Sequence, residues 1–192
     1  MKQKKPKLIV AALFVFLGAQ AQIKLPISNA FRNDVQKVVA AFPGQFAEVR
    51  GAVLQKNPQT VEYASLVKPD KAEHAVVTQY SSNSKEVYTW QATLLSTEDF
   101  TEAEKKYKWL YSQLKGMNIK YVVDQYTLRG TYNAPSESIK FATSQLSVFN
   151  PPMALKKLRV EVSMQYEFPE WKVGLSVFEK EREDDEPGHI AD

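Results

Sequence analysis

The stretch LRVEVSMQYEFPEWKVGLSV at residues 158–177 decides the fold of this chain. Its two halves, near 157–167 and 171–180, place an apolar side chain at every second position, which is the period of a β-strand with one buried face. The remaining positions of the first half are charged or polar, as on an antiparallel strand whose other face meets water. Residues 168–170 (FPE) form a short connection, so the stretch predicts an antiparallel β-hairpin.

Other segments rich in β-branched and aromatic residues also predict strands. In the clearest of them, every second residue from Tyr88 to Leu94 is apolar, which predicts one buried strand face. Turn-forming residues such as Asn, Pro, Asp and Ser separate these segments. With the hairpin, the sequence predicts about eight strands, and the other six segments lie near 47–55, 60–67, 74–81, 86–95, 120–132 and 138–149.

Two amphipathic helices complete the predicted elements. The first begins at residues 28–30 (SNA) and ends at 43–44 (PG), because neither Pro nor Gly continues a helix well. For the second, residues 97–99 (TED) and Thr101 are the capping choices, Thr101 with Glu104 fits a capping box, and Gly116 is placed to end the helix. The residues that share one face at helical spacing are Phe31, Val35, Val38, Val39 and Phe42 in the first helix and Ala103, Tyr107, Leu110, Tyr111 and Leu114 in the second.

The two halves of the chain share a pattern. The apolar face of the first helix maps onto that of the second at a constant offset of 72 residues, and VRG at 49–51 resembles LRG at 128–130. We therefore expect an α+β fold, a tandem pseudo-repeat of one helix packed on a four-stranded antiparallel sheet. It would have about eight strands and two main helices, in halves near 28–95 and 99–180. The alternative is that any two α+β halves share such amphipathic spacing.

The expected architecture of tandem helix-and-sheet units is similar to that of the β-lactamase inhibitory proteins, which are also exported. The likeness concerns topology alone, because the chain shares no motif with them. Those proteins carry disulfides, whereas this chain has no cysteine. The resemblance is therefore one of fold and gives no function.

The first residues carry the marks of a cleavable secretory signal peptide. Four lysines precede an apolar run at 8–17, and small residues follow in A-x-A order. The run is shorter than the roughly 20 residues that span a bilayer. We expect cleavage after Ala21, so that 1–21 is the signal peptide, with a retained anchor or a buried N-terminal helix as alternatives. A single α+β domain at 22–182 and a disordered acidic tail at 183–192 would follow.

Composition narrows the location and the partners. The closing GAQAQ of the signal resembles exported proteins of the Bacteroidetes group, which implies a Gram-negative periplasm. Without cysteine, the chain cannot be lipidated at a cleavage-site Cys or form disulfides. We therefore expect a periplasmic or secreted protein with no membrane anchor after cleavage. Beyond the signal, 21 Lys and Arg face 22 Asp and Glu, and this near-neutral balance gives nucleic-acid binding little support.

Catalytic motifs are scarce in the sequence. His74 and His189 are the two histidines, and they cannot supply the three or four donors of a zinc site alone. Neither a G-x-S-x-G motif nor a Gly-rich phosphate loop occurs. We expect no metal and no cofactor. The sequence favours a protein without enzymatic activity and leaves a carboxylate-dependent hydrolase as an alternative.

Three residues are candidates for contact with a partner. Trp109 falls off the apolar stripe of the second helix beside three lysines, where it would anchor a partner or cover the helix edge. Arg50 and Arg129 precede the matched glycines and would reach an acidic partner. The alternative for both is a strand bulge at the glycine with an arginine facing solvent.

The leading hypothesis is an exported, non-enzymatic binding protein that acts through its sheet face or through the loops at one end. Its partner would be a protein or another envelope component. The alternatives are a carrier of a small apolar ligand, held between helix and sheet, and the hydrolase. The oligomeric state stays open.

Overall fold

A computed structural model describes residues 29–81 and 86–180 of the chain. The expected signal peptide at 1–21 and the expected tail at 183–192 lie outside the described residues. The described part contains two α-helices and nine β-strands. Helices α1 and α2 comprise Asn29–Ala41 and Phe100–Leu114, and strands β1 to β9 comprise Arg50–Lys56, Thr60–Ser65, His74–Ser81, Glu86–Thr97, Asn118–Tyr121, Asp124–Gly130, Phe141–Val148, Leu158–Glu167 and Glu170–Glu179.

The strands form one antiparallel sheet in the order β1-β2-β3-β4-β9-β8-β7-β6-β5. The α+β class is confirmed, but the prediction of about eight strands in four-stranded sheets is wrong. The extra strand arises because the segment predicted near 120–132 is a hairpin, β5 and β6, in which Tyr121 pairs with Asp124. The turn between them contains Val122 and Val123, which are not turn formers, and Val122 adopts a φ of 55°. Sequence therefore gave no sign of this turn.

The sheet curves around the helices. Nine strands at a spacing of about 4.8 Å span roughly 38 Å if flat, whereas a helix is only about 10–12 Å wide. Nevertheless α1 packs both on β5, at one edge, and on residues 47–49, which lead into β1 at the other edge. Both edges reach the same helix only if the sheet bends toward it. Helix α2 packs on the central strands β4, β8 and β9.

The β8–β9 hairpin confirms the stretch that predicted the fold. Glu167 pairs with Glu170, so Phe168 and Pro169 form the loop, and the bond between them is cis. Every second side chain on both strands is buried in the core, and each fully buried large apolar side chain contributes about 1.5–3 kcal/mol. The buried residues of the hairpin are Leu158, Val160, Val162, Met164, Trp171, Val173, Leu175 and Val177.

The ends of the helices follow local chemistry. Of the predicted capping choices, Asp99 is the N-cap of α2, and its carboxylate accepts hydrogen bonds from the backbone N of Thr101 (2.7 Å) and of Glu102 (3.2 Å). Thr101 lies inside the helix, so the capping box with Glu104 is not formed. Gly116 has a φ of 73° just beyond α2, which confirms its predicted role in ending the helix. Helix α1 ends at Ala41, before a 3-10 turn that contains Pro43.

The two faces of the sheet differ in character. The face toward the helices carries the core, including Trp90, whose indole N donates to Ser65 Oγ at 2.8 Å. The opposite face, here called the outer face, is rich in small and polar side chains in its central strands. Its central residues are Gln91 and Thr93 on β4, Ser163 on β8, and Gly174 and Ser176 on β9.

Candidate functional site

A groove opens on the helix side of the sheet, between α1, α2, β4 and the loop before β3. Its volume is about 720 Å³, and apolar surface predominates in its lining. We call it the Trp109 groove and define it by its apolar residues Phe31, Leu94, Leu95 and Trp109. Ligand sites in proteins are concave, predominantly apolar and about 300–1,000 Å³ in volume, so its size and lining suit a small molecule.

The walls of the groove are formed by α1, α2 and a bulge in β4. Trp109 lies on α2 beside the stripe that packs on the sheet, and its ring centroid is 5.3 Å from that of Phe31 on α1. Strand β4 has a bulge between Thr93 and Leu95. A bulge breaks the strict alternation of a strand, so the consecutive residues Leu94 and Leu95 both line the groove.

The rim of the groove is charged, and two of its three acids accept hydrogen bonds. The Glu73 carboxylate accepts hydrogen bonds from the backbone N and the Oγ of Ser96, at 2.7 and 2.8 Å. The Glu102 carboxylate accepts one from Thr97 Oγ1 at 2.8 Å. Asp70 completes the acidic part of the rim.

The basic part of the rim is without ion pairs. Lys71, Lys105 and Lys106 line the groove, and none of them lies within 4.0 Å of a carboxylate oxygen of the described residues. The Lys106 ammonium lies 4.9 Å from the centre of the Trp109 ring. Partial burial lowers the pKa of Lys106, the nearby charge of Lys71 lowers it further, and Asp70 opposes the shift. The groove therefore places three lysines without ion pairs, and three carboxylates, beside apolar surface.

The other two predicted site residues lie elsewhere. The Arg50 guanidinium lies over Tyr88 at 4.7 Å and over Tyr63 at 5.3 Å, and both rings pack with the core on the helix side. Arg129 lies on the outer face, with its guanidinium 3.6 Å from the centre of the Phe149 ring. The structure thus does not bring Arg50, Arg129 and Trp109 together.

The matched glycines also differ. The β1–β2 register shifts after Arg50, so Gly51 lies in a bulge, as the alternative interpretation held. The pairing at Gly130 is regular, and a Cβ there would collide with the carbonyl oxygen of Gln145. Glycine at 130 therefore allows a close approach of two strands.

Sequence reasoning missed most of the groove. Phe31 was assigned to the core face of the first helix, and Leu94 to the buried face of a strand. The one sign of the groove in the sequence was the pair Leu94-Leu95, because two consecutive apolar residues end the otherwise strict alternation of the strand. Nothing local indicated that a bulge would turn both toward α2.

A second depression, of about 400 Å³, lies on the outer face and is mostly polar. Its histidine, His74, is exposed and has Nε2 3.1 Å from Thr93 Oγ1. Two of its three carboxylates are held by neighbours: Glu161 accepts from Gln145 Nε2 at 2.7 Å, and Glu167 pairs with Lys172 Nζ at 2.7 Å. The hydrogen bond and charge of Lys172 lower the pKa of Glu167, the opposite of what a general acid needs near neutral pH. This depression gives the hydrolase interpretation no support.

No family model, curated protein or solved structure matches this chain. Across 29–81 and 86–180, no group of three or more His, Asp or Glu side chains is placed to hold a metal ion. The same residues include no helix with the length and apolar character needed to cross a membrane.

Proposed function

We propose that this protein is a non-enzymatic binding protein that holds an amphiphilic anion in the Trp109 groove. The apolar part of the ligand lies against Phe31, Leu94, Leu95 and Trp109, and its anionic head lies at the lysines of the rim. The observation that carries the proposal is a groove of about 720 Å³ with an apolar lining beside three lysines that lack ion pairs. Of the interpretations of the sequence, this favours a carrier of a small ligand over docking through the sheet face.

The apolar lining supplies the affinity. Each methylene of a ligand that moves from water to apolar surface contributes about 0.8 kcal/mol. The curvature of the sheet, with α1 on one side and β4 on the other, lets the groove contact such a chain on more than one side. A flat apolar patch would leave half of the ligand in water.

The rim supplies the sign of the head group. Hydrogen bonds from Ser96 and Thr97 already satisfy the carboxylates of Glu73 and Glu102 in part, which leaves a cationic head with little to gain from them. An anionic head would instead offset the mutual repulsion of Lys71 and Lys106, which Asp70 offsets only in part, and would give Lys106 an ion pair. A carboxylate or another singly charged head fits this arrangement.

We also propose that the protein is exported and works in the periplasm or after secretion. The charged start, the short apolar run and the A-x-A residues of 1–21 support this location. A carrier of amphiphiles suits a compartment that borders on membranes. Nucleic acid stays outside the proposed partners, given the near-neutral charge beyond residue 21.

The tandem pseudo-repeat remains part of the proposal. In the sheet order, β1 to β4 run inward from one edge and β5 to β9 run inward from the other, so that the last strands of the two halves pair at the centre. This order supports two related units, the second enlarged by β5. The unequal positions of the helices, α2 on the centre and α1 on the edges, would then reflect divergence.

Binding of dodecanoate tests the proposed function, with dodecyltrimethylammonium as the matched ligand of opposite charge. We expect saturable one-to-one binding of dodecanoate by calorimetry, at least about tenfold tighter than the cation, since one charge-assisted hydrogen bond is worth about 1.5–3 kcal/mol. Lys71→Gln with Lys106→Gln should lower the dodecanoate affinity. Lys108→Gln, an exposed lysine of α2 outside the groove lining, is the matched control. Equal binding of both detergents, or of neither, would overturn the proposal.

A further inference from the structure

Another depression, also on the outer face, contains two arginines and no acidic side chain. It has a volume of about 300 Å³ and lies across β6, β7 and β8. We call it the arginine cleft and define it by Arg129, Ser147 and Arg159. It is separate from the Trp109 groove, which lies on the helix side of the sheet.

Strand register places the two arginines in one row. Arg129 on β6 pairs with Ser147 on β7, and the pair Leu146–Val160 puts Ser147 beside Arg159 on β8. All three side chains point to the outer face, because side chains alternate along a strand and those of the adjacent residues Leu128, Leu146, Val148, Leu158 and Val160 are buried in the core. Two strand spacings separate the arginines, so their Cα atoms lie about 10 Å apart.

Neither arginine has a carboxylate partner among the described residues. Arg129 stacks on Phe149, which leaves the edge of its guanidinium free. Arg159 donates from one terminal nitrogen to the carbonyl oxygens of Lys156 (3.3 Å) and Leu158 (2.8 Å), and its other N–H groups are without a described acceptor. The nearest acid along β8, Glu161, is bound by Gln145. Free guanidinium edges of this kind suit carboxylates.

The end of β9 lies close to this cleft, and an acidic run follows it in the sequence. Phe178 pairs with Arg159, and the backbone N of Lys180 donates to the carbonyl oxygen of Lys157 at 2.8 Å. The sequence then continues with EDDE at 183–186. Strand geometry puts Lys180 about 8 Å from Arg159 and about 16 Å from Arg129.

Reach decides whether the run can span the cleft. An extended chain covers at most about 3.3–3.6 Å per residue. Residue 183 can therefore extend about 10 Å from Lys180, and residue 186 about 20 Å. The reach of residue 183 exceeds the distance of about 8 Å from Lys180 to Arg159, and the reach of residue 186 exceeds the distance of about 16 Å to Arg129. We propose that the acidic run 183–186 binds in cis to the arginine cleft and is its occupant in the free protein.

The tether makes this contact effective. An exposed ion pair is individually weak, but a short linker holds the acids near the arginines at a high effective concentration. The contact is sensitive to salt, because charges are screened over about 8 Å at physiological ionic strength. The cleft is consequently a site for acidic segments that an acidic partner can enter only by displacing residues 183–186.

A spin label tests the contact, and the absence of cysteine makes the labelling selective. Gly188→Cys, in the otherwise unchanged full chain, carries a nitroxide two residues beyond the acidic run. At low salt we expect selective loss of intensity for the amide signals of Arg129, Ser147 and Arg159. The amide signals of Leu110 and Leu114, on the far side of the sheet, serve as the internal control and should keep theirs.

Two variants and one mixture decide the outcome. The loss of intensity should disappear when the run 183–186 is changed to QNNQ, and in Arg129→Gln with Arg159→Gln, but persist in the matched control Arg50→Gln. A dispersed spectrum of each variant shows that it is folded. Persistence in the double-arginine or QNNQ variant, or no loss in the unaltered chain, would overturn the proposal. Loss seen only between spin-labelled and isotope-labelled molecules in a mixture would assign the contact to a second copy and overturn binding in cis.

Discussion

The ring of Trp109 lies 5.3 Å from the ring of Phe31, centroid to centroid, with the two planes tilted by 55°. This contact joins α2 to α1 at the mouth of the groove, so one pair of side chains both holds the helices together and lines the proposed ligand site. Phe31 is fully buried, whereas Trp109 is half-buried and carries Lys106 on its ring. The two residues should therefore respond differently to truncation.

Phe31→Ala should lower the free energy of unfolding by about 3–5 kcal/mol, because it removes a fully buried aromatic side chain. Trp109→Leu should cost less than Phe31→Ala, while weakening dodecanoate binding and removing the contact of the Lys106 ammonium with the indole ring. Denaturant unfolding and ligand titration measure the two effects. Phe168→Ala, at a side chain that is 88% exposed, is the control and should change stability by less than about 0.5 kcal/mol. A larger cost at Trp109 than at Phe31 would contradict this assignment.

Asp99→Ala should destabilise the protein by about 1 kcal/mol, because it removes the acceptor for two backbone N–H groups at the start of α2. Thr101→Ala is the comparison, since Thr101 was another capping choice in the sequence, and it should have a markedly smaller effect. Thermal or denaturant unfolding of both variants measures the difference. Equal costs would mean that Thr101 shares the capping role.

The features that the sequence predicted correctly depend on residues close together in the chain, and those that it missed depend on tertiary structure. The alternation at 158–177 and the helical stripes predicted elements correctly, because each is a pattern of burial along a single element. Asp99 and Thr101 are both residues that cap helices, and only the backbone conformation, extended at Asp99, shows which of them is the cap. The β5–β6 turn was missed because tertiary structure holds Val122 in a backbone region that its sequence disfavours.

The Trp109 groove was out of reach of the sequence for a different reason. It depends on the bulge at Leu95, on the position of α1 and on the curvature of the sheet, which are relations between distant segments. Trp109 alone was singled out, since its place beside the apolar stripe was visible on a helical repeat. The sequence indicated one of the two residues of the arginine cleft. Arg129 was a candidate for contact with a partner, whereas Arg159 was one of several polar residues on a strand.

Gly116→Ala should destabilise the protein by about 1–2 kcal/mol, because a side chain at a φ of 73° is strained even though a Cβ there would meet no atom within 4 Å. Gly44→Ala is the matched control, with equal space around its Cβ position and no positive φ. It should be neutral or stabilising by up to about 1 kcal/mol. Denaturant unfolding compares the pair, and a similar cost for both would show that backbone conformation is not the cause.

Tyr107 should make stability fall in strong alkali. Burial raises its pKa to about 12 from an ordinary value of 10.0, in spite of its hydrogen bond with Ser144 Oγ at 2.7 Å. Because the unfolded chain loses this proton more readily, the Tyr107 contribution is intact below pH 10 and is lost between about pH 10 and 12. A shift of two pKa units corresponds to about 2–3 kcal/mol.

Tyr107→Phe tests this assignment through the slope of unfolding free energy against pH. The slope between about pH 10 and 12 should become shallower in this variant, and the stability at pH 7 should fall by about 1–2 kcal/mol through loss of the hydroxyl contact. Tyr80→Phe, at an exposed tyrosine, is the control and should leave the slope unchanged. An unchanged slope in Tyr107→Phe would show that other groups cause the alkaline loss.

Dodecanoate affinity should fall as the pH rises through the pKa of Lys106. Burial, followed by the charge of Lys71, lowers this pKa below its ordinary value of 10.5, so the ammonium loses its proton at a lower pH than that of an exposed lysine. A bound carboxylate favours the protonated ammonium and raises the pKa, which couples binding to proton uptake. Calorimetry between pH 7 and about pH 10 measures the affinity within the range where Tyr107 leaves stability intact.

Lys106→Arg isolates the contribution of this lysine to the pH dependence. Arginine keeps its charge to above about pH 12, so the variant should bind dodecanoate at pH 7 and lose less affinity toward pH 10 than the unaltered protein. Lys106→Gln should bind weakly at both pH values, because the charge is absent throughout. The exposed Lys108→Arg should behave as the unaltered protein does. If the affinity of Lys106→Arg fell as steeply with pH, the head group would lie at a lysine other than Lys106.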